Sequence, residues 1–338
     1  MTSYSLRVAS VVAETADARS FVLDVPPELA DVFAHEPGQF LTVRAASVAR
    51  CYSLCNAPGS PLTITVKRTV DGFGSAWMCS SVAEGDVLEV LPPAGRFTPR
   101  SLDGSFLLVA AGSGITPVLG ILRTVLASGS GTVTLFYANR DEQSVIFAGV
   151  LRELAASYPS RLRVVHWLES VSGLPSAAAL EGLLSPFASG AEVFLCGPTP
   201  FMEAVETALR STDVARVHVE KFQSLAEDPF VASAESSVAS SVASSSEEGF
   251  ALDVEIDGAA HSLTWPAERR MLDVLVEHGL SAPSSCREGR CGACTCLLLD
   301  GEVEMVNNEV LDSVDLADGY VLACQSLPKV GPFRVSYE

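Results

Sequence analysis

Short apolar stretches with alternating polar positions, broken by Pro and Gly, fill the first hundred residues: 21–25, 39–43, 62–66 and 87–90. Their even spacing predicts a small antiparallel β-barrel over residues 1–102. From residue 105 the pattern changes to continuous apolar runs separated by longer amphipathic stretches. The run SFLLVAA at 105–111 has no polar position after its first, as a strand covered on both faces requires. Runs at 133–137, 162–167 and 191–196 repeat it, predicting an α/β domain on a parallel sheet over 103–230. Beyond 249 the strands are short again. Segments 252–256 and 262–265 flank Asp257-Gly258, a hairpin signal, and Asp300-Gly301 predicts another. Between them, 268–278 sets Met271, Leu272, Leu275 and Val276 on one helical face ended by Gly279. These elements predict an α+β domain over 249–338. Residues 231–248 hold eight serines and a tandem Ser-Ser-Val-Ala repeat, too small and polar for a core, and read as a linker. The fold class expected is therefore multidomain, with three unlike parts.

With 338 residues and 48% apolar content the chain is long enough for separate cores. No apolar run approaches the eighteen or so residues of a membrane span, and the first residues, MTSYSLRVAS, lack the layout of a signal peptide. A cytoplasmic protein without a membrane partner is expected. The net charge is −19, and 249–338 carries fifteen Asp/Glu against six Lys/Arg. That balance argues against nucleic acid and suits docking to a basic patch on another protein, with ordinary solubility charge as the alternative.

Nine cysteines in so long a chain do not suggest a disulfide scaffold, because four of them are spaced as metal ligands. Cys286, Cys291, Cys294 and the distant Cys324 follow the C-x4-C-x2-C…C arrangement of a plant-type [2Fe-2S] cluster. Gly289, Gly292 and Ala293 let backbone amides turn toward the sulfurs. Zinc is the alternative for four thiolates, but its sites usually pair two C-x2-C units, and the four-residue gap weighs against it. Cys296 falls on the following strand and reads as a buried strand residue.

Four further segments carry candidate chemistry. In RCYS, Arg50 and Tyr52 alternate on one face of a strand, offering a cation to a phosphate and a ring to a planar cofactor, with Ser53 on the other side of the pleat. Lys67-Arg68 then precede Asp71-Gly72-Phe73-Gly74-Ser75, which leads into a short helix predicted over 76–79. Glycines entering a helix N-terminus suit pyrophosphate, and Lys67, Gly74 and Ser75 are candidate ligands. The run 105–111 likewise opens into Gly112-Ser113-Gly114-Ile115-Thr116-Pro117, with Thr116 expected as N-cap and Pro117 as first helical residue. A strand, glycine turn and helix make a nucleotide-phosphate site. Cys196-Gly197-Pro198-Thr199-Pro200 repeats the design, and two such strand ends predict a cleft.

The RCYS and GFGS segments resemble the flavin-binding signature of the ferredoxin–NADP reductase superfamily. The resemblance implies that Arg50, Tyr52, Ser53, Gly74 and Ser75 hold FAD, rather than FMN. It implies that Gly112, Gly114 and Thr116 face a nicotinamide nucleotide, that Cys196 lies near the hydride-donating carbon, and that Phe222 covers a flavin face; ordinary core packing is the alternative for Phe222. It also implies the β-grasp layout of plant-type ferredoxins at the C-terminus. After Tyr137 the acids of Asn139-Arg140-Asp141-Glu142 disfavour a 2′-phosphate while Arg140 favours one, and the balance points to NADH. Outside these motifs, TVKRT, YANRDEQSVIF, HWLES, GLPSA and SCREGRCGAC resemble reductase components of Rieske oxygenases in steroid degradation. The function implied is an NADH-dependent reductase passing electrons through FAD and [2Fe-2S] to a terminal oxygenase. A reductase for another ring-hydroxylating or di-iron oxygenase, such as one acting on phenylacetyl-CoA, and a non-catalytic metal-binding module are the alternatives.

Overall fold

A computed structural model describes residues 2–225, 228–230 and 249–337. The Ser-rich stretch 231–248, expected to be a linker, lies outside the described residues. The chain divides into two compact units, one comprising Tyr4–Pro93 with Phe97–Ser224, the other made chiefly of residues from Leu225 onward.

In the first unit, β1 (Tyr4–Ala13), β2 (Ala18–Asp24), β3 (Phe40–Ala45), β4 (Val48–Ser53), β5 (Leu62–Lys67) and β6 (Val87–Val90) form one antiparallel sheet in the order β4-β3-β6-β1-β2-β5. Its edges meet. Leu54, just past β4, bridges Ile64 of β5, and the Cys55 amide donates to the Thr63 carbonyl at 3.1 Å. Closure removes the exposed strand edges and leaves the inward residues Leu6, Val8, Phe21, Leu41, Val43, Ile64 and Leu88 in a common core. The helix expected at 76–79 begins earlier: α1 spans Phe73–Ser81, so Gly74 and Ser75 lie inside its first turn. Met78 and Cys79 anchor it to the barrel core.

The same unit holds a parallel sheet of β7 (Ser105–Ala111), β8 (Thr132–Asn139), β9 (Leu162–Leu168), β10 (Glu192–Cys196) and β11 (Arg216–Glu220), ordered β11-β10-β7-β8-β9. Period two divides the apolar run of β7 between two cores. Phe106, Leu108 and Ala110 join the layer of α2 (Ile115–Ser128), whereas Leu107, Val109 and Ala111 join that of α5 (Ala177–Ala188) and α6 (Thr199–Leu209). The edge strand β11 was not among the expected elements, since RVHVE alternates with polar residues. Helix α3 (Ala148–Ser157) and the single turn α4 (Glu169–Ser172) complete this part. Helix α2 seats on the barrel where it closes: a Cβ on Gly120 would come within 2.7 Å of the Leu54 carbonyl oxygen, and Arg123 donates to the Cys55 carbonyl at 3.1 Å.

The second unit carries β12 (Gly249–Ile256), β13 (Ala259–Pro266), β14 (Thr295–Met305), β15 (Tyr320–Leu322) and β16 (Ser326–Ser336) in the order β13-β12-β16-β14-β15, with β12 and β16 parallel. With α7 (Met271–Glu277) packed by Met271, Leu272 and Leu275 onto Trp265 and Phe333, this is the β-grasp arrangement. Asp257 and Gly258 both have positive φ, as the tight turn of the expected hairpin requires. Asp300-Gly301 is not a hairpin. β14 runs straight through it against β16, with register shifts on both sides of Asp300. The glycine is needed because Phe333 of the neighbouring strand approaches to 2.5 Å of where a Cβ would stand, so these residues form a bulge. Among the described residues no helix is long and apolar enough to cross a membrane.

Candidate functional site

Strand β4 pairs with β3 so that Arg50 lies opposite Val43 and Tyr52 opposite Leu41. Gly74 brings the first turn of α1 against Arg50, because a Cβ there would meet the Arg50 side chain at 3.1 Å. The Arg50 side chain and the first turn of α1 thus share one region, and a cation beside free helix N-terminal amides suits an anion. Beside it an open cleft of about 600 Å³ is lined by Asp17, Arg68, Val70 and Phe73, among others. The Tyr52 hydroxyl is buried without a hydrogen-bond partner, and burial raises its pKa. An orphaned donor beside an anion cradle fits a bound flavin. Ser75 is engaged locally: its hydroxyl accepts from the Thr69 amide and donates to the Gly72 carbonyl, both at 3.1 Å.

The nucleotide turn is reached from the barrel. Lys67, the last residue of β5, places Nζ 3.6 Å from where a Cβ of Gly112 would be, and 4.0 Å from Asp17. Burial lowers the Lys67 pKa, and Asp17 opposes that shift. Gly112 has positive φ and its carbonyl accepts from the Tyr137 hydroxyl at 3.0 Å. Gly114 is held close by β10, since a Cβ would fall 2.1 Å from the Cys196 carbonyl oxygen. Thr116 is not the N-cap. A single turn at Gly112–Gly114 already feeds the helix, α2 starts at Ile115, and the Thr116 hydroxyl donates to the Ser113 carbonyl at 3.0 Å. Pro117 is then the third helical residue, still among the positions whose N–H needs no intrahelical partner.

Cys196 ends β10 fully buried, and its pKa stands well above the usual thiol value, first through burial and then through Glu220. Such a thiol is no nucleophile. Gly197 follows, with no room for a side chain between Ala111 and Phe201. Glu220 pairs in register with Cys196 across β10 and β11, and the Ser53 hydroxyl donates to its Oε2 at 3.2 Å. Ser53 from the barrel and Cys196 and Glu220 from the parallel sheet therefore converge. Burial pushes the Glu220 carboxyl up to about 8, the Ser53 hydrogen bond acting in the opposite sense. Sequence reasoning missed Glu220 because its strand was not recognised; an acid ending a strand one position before Lys221-Phe222 was the available signal. Phe222 is 48% exposed, which removes core packing as its explanation. Arg140, the expected cation for a 2′-phosphate, is instead paired with Asp17 at 3.1 Å.

In the second unit, residues 285–294 form a loop whose amides point at sulfur. Glu288 N–H and Arg290 N–H donate to Cys286 Sγ at 3.3 and 3.4 Å, and Cys286 N–H donates to Cys291 Sγ at 3.4 Å. Arg287, Gly289 and Gly292 adopt positive φ to allow this. Gln325 Nε2 donates to Cys324 Sγ at 3.5 Å. The four thiols act on one another in two pairs. Cys286 is pushed down to about 6 by Cys291, and Cys324 is lowered by Cys294, whose own pKa is raised well above the usual value. Two pairs suit two metal ions with two thiolates each. The residues fit a binuclear cluster. Cys296 is buried on β14, its sulfur 4.0 Å from that of Met271, as a strand residue should be.

Comparison with known proteins bears on two of these regions. A family model described as 2Fe-2S iron-sulfur cluster binding domain matches residues 254–329, and one described as oxidoreductase NAD-binding domain matches 108–207. The chain is 51% identical to the 3-ketosteroid-9-alpha-monooxygenase, ferredoxin reductase component, of Rhodococcus rhodochrous, over 99% of its own length and 97% of the relative's. It is 34% identical to one of the subunits of the 1,2-phenylacetyl-CoA epoxidase of Escherichia coli K12, over 100% and 98% of the two chains. Among solved structures it is similar to phthalate dioxygenase reductase, with a TM-score of 0.59 and 27% identity over 99% of this chain and 98% of that one.

Proposed function

The chain belongs to the family of ferredoxin reductase components of 3-ketosteroid-9-alpha-monooxygenase, and from that premise we propose that it draws electrons from NADH and delivers them singly to a terminal oxygenase, of Rieske type, in steroid degradation. When bound, FAD accepts a hydride and releases electrons one at a time, and a [2Fe-2S] cluster carries one. The residues of this chain provide the setting. Arg50, Gly74 and Ser75 would hold the FAD phosphates, with Tyr52 against its ring. Gly112, Gly114, Thr116 and Gly197 would hold NADH, with Lys67 reaching its phosphates and Phe222 placed at the surface to cover the ring face. Ser53 and Cys196 would border the nicotinamide, and Glu220 holds a proton on its carboxyl at neutral pH. Cys286, Cys291, Cys294 and Cys324 would ligate the iron.

We place the domains at 1–102, 103–230 and 249–338 with 231–248 as linker; supporting this, β6 ends at Val90 and β7 begins at Ser105, while β11 ends at Glu220 and β12 begins at Gly249. A cytoplasmic location is supported by nine cysteines that form no disulfide. The observation that carries the reading is the amide-lined loop that sets the thiols of Cys286, Cys291 and Cys294 beside that of Cys324, on one chain with a nucleotide turn. Reconstitution tests the partner. Mixing the purified chain, NADH and a 3-ketosteroid oxygenase component should couple NADH oxidation to hydroxylated steroid. Coupling only to a phenylacetyl-CoA oxygenase would overturn the steroid reading in favour of the other relative.

A further inference from the structure

Three charged side chains meet where the barrel and the parallel sheet join. Asp17, in the loop between β1 and β2, is fixed from two sides: its Oδ1 accepts from the Thr15 hydroxyl at 2.8 Å, and its carbonyl accepts from the Arg68 amide at 2.7 Å. Its other oxygen, Oδ2, accepts from Arg140 at 3.1 Å and lies 4.0 Å from Lys67 Nζ. Asp17 is only 23% exposed, so the carboxylate is a built feature of the junction and not a solvated surface charge.

The sheet order gives this cluster a direction. Cys196 and Glu220 end β10 and β11 on one side of the β7 turn, and Arg140 follows β8 on the other. A dinucleotide with its pyrophosphate at Gly112 and its nicotinamide near Cys196 must lay its adenosine toward β8 and β9. The cation at that end is Arg140, with Asp17 on its guanidinium, Asp141 and Glu142 next along the chain, and Glu169 beside the Ser170 amide that donates to its carbonyl. A guanidinium is the group best fitted to take a phosphate in two parallel hydrogen bonds, but here it is already turned to a carboxylate.

We infer that Asp17 is a positioning residue for nucleotide selectivity: by holding Arg140 it withholds that cation from the 2′-phosphate of NADPH and reserves the site for NADH. The inference rests on NADH as the proposed donor. A 2′-phosphate must draw Arg140 away from Asp17 before that cation can serve it, a penalty that a 2′-hydroxyl does not meet.

Steady-state kinetics of the full holoprotein with ferricyanide as acceptor tests this, comparing kcat/KM for NADH and NADPH. The wild type should prefer NADH; a preference for NADPH would defeat the donor assignment itself, before any variant is compared. Asp17→Asn should cut the NADH preference about tenfold, mainly through a lower KM for NADPH, the scale of one charge-assisted bond. Asp17→Asn with Arg140→Gln should restore the wild-type ratio. An Asp17→Asn ratio within about twofold of wild type, or a gain that survives loss of Arg140, would overturn the inference. Arg140→Gln alone serves if Asp17→Asn fails to retain flavin. Its ratio should match wild type, because the side chain is already committed, and a marked fall in NADPH use would contradict that.

Discussion

Glu220 is the residue whose behaviour most depends on its surroundings. Its folded carboxyl keeps a proton up to about pH 8, whereas a free glutamate releases it near 4.5. Between those values the folded chain binds a proton that the unfolded chain has lost. Stability from this group is therefore complete below 4.5 and is lost as pH rises through 8. Glu220→Gln should flatten that slope in denaturation measured from pH 4.5 to 9, and an unchanged slope would contradict the buried, proton-holding carboxyl. Ser53→Ala, which removes the hydrogen bond holding the pKa down, should carry the decline to still higher pH. At this scale the sequence was informative where a residue sat in a motif: Arg50, Tyr52, Ser53, Cys196 and the four cysteines could each be singled out. Glu220 and Asp17 could not, because each gains its meaning only from a partner far along the chain, Ser53 and Arg140 respectively.

Elements approach one another through glycine, and two such positions can be tested. At Gly114 a Cβ would stand 2.1 Å from the Cys196 carbonyl oxygen, so Gly114→Ala must push the β7 turn from β10. A loss of about 1–3 kcal/mol in stability and a raised KM for NADH, with flavin retained, are expected; an unchanged KM would show that the turn does not face the nucleotide. Gly289 has a φ of +79° and 2.6 Å between a would-be Cβ and the Asn307 carbonyl oxygen. Gly289→Ala should lower iron per chain while NADH-to-ferricyanide activity persists, checked by metal analysis beside the assay. Strong periodicity made most elements readable: β6 and the β12–β13 turn lie where the pattern put them, and β7 reads as buried because it is. The failures share a cause. β11 is a half-polar edge strand, the start of α2 is set by the preceding turn and not by Thr116, and Asp300-Gly301 imitates a hairpin while serving to admit Phe333. In each, a neighbouring element overrides a local signal.

For the whole molecule, the order of parts matters more than any single site. Two units, one with a barrel and a nucleotide sheet and the other with a thiol-lined loop, are what conversion of paired into single electrons needs. Cys291→Ser should abolish cytochrome c or oxygenase reduction while leaving NADH-to-ferricyanide activity, since ferricyanide can drain the flavin directly. Loss of both would place the cluster upstream of the flavin or make it a structural requirement. The fifteen acids against six bases of residues 249–338 suit delivery to a basic partner surface, so coupling to the oxygenase should weaken as salt is raised. The most direct test is low-temperature EPR of the purified chain after anaerobic addition of NADH. A reduced [2Fe-2S] signal should appear in the wild type and be absent from Cys291→Ser; a wild type that stays silent with NADH, or whose metal is zinc, would contradict the account.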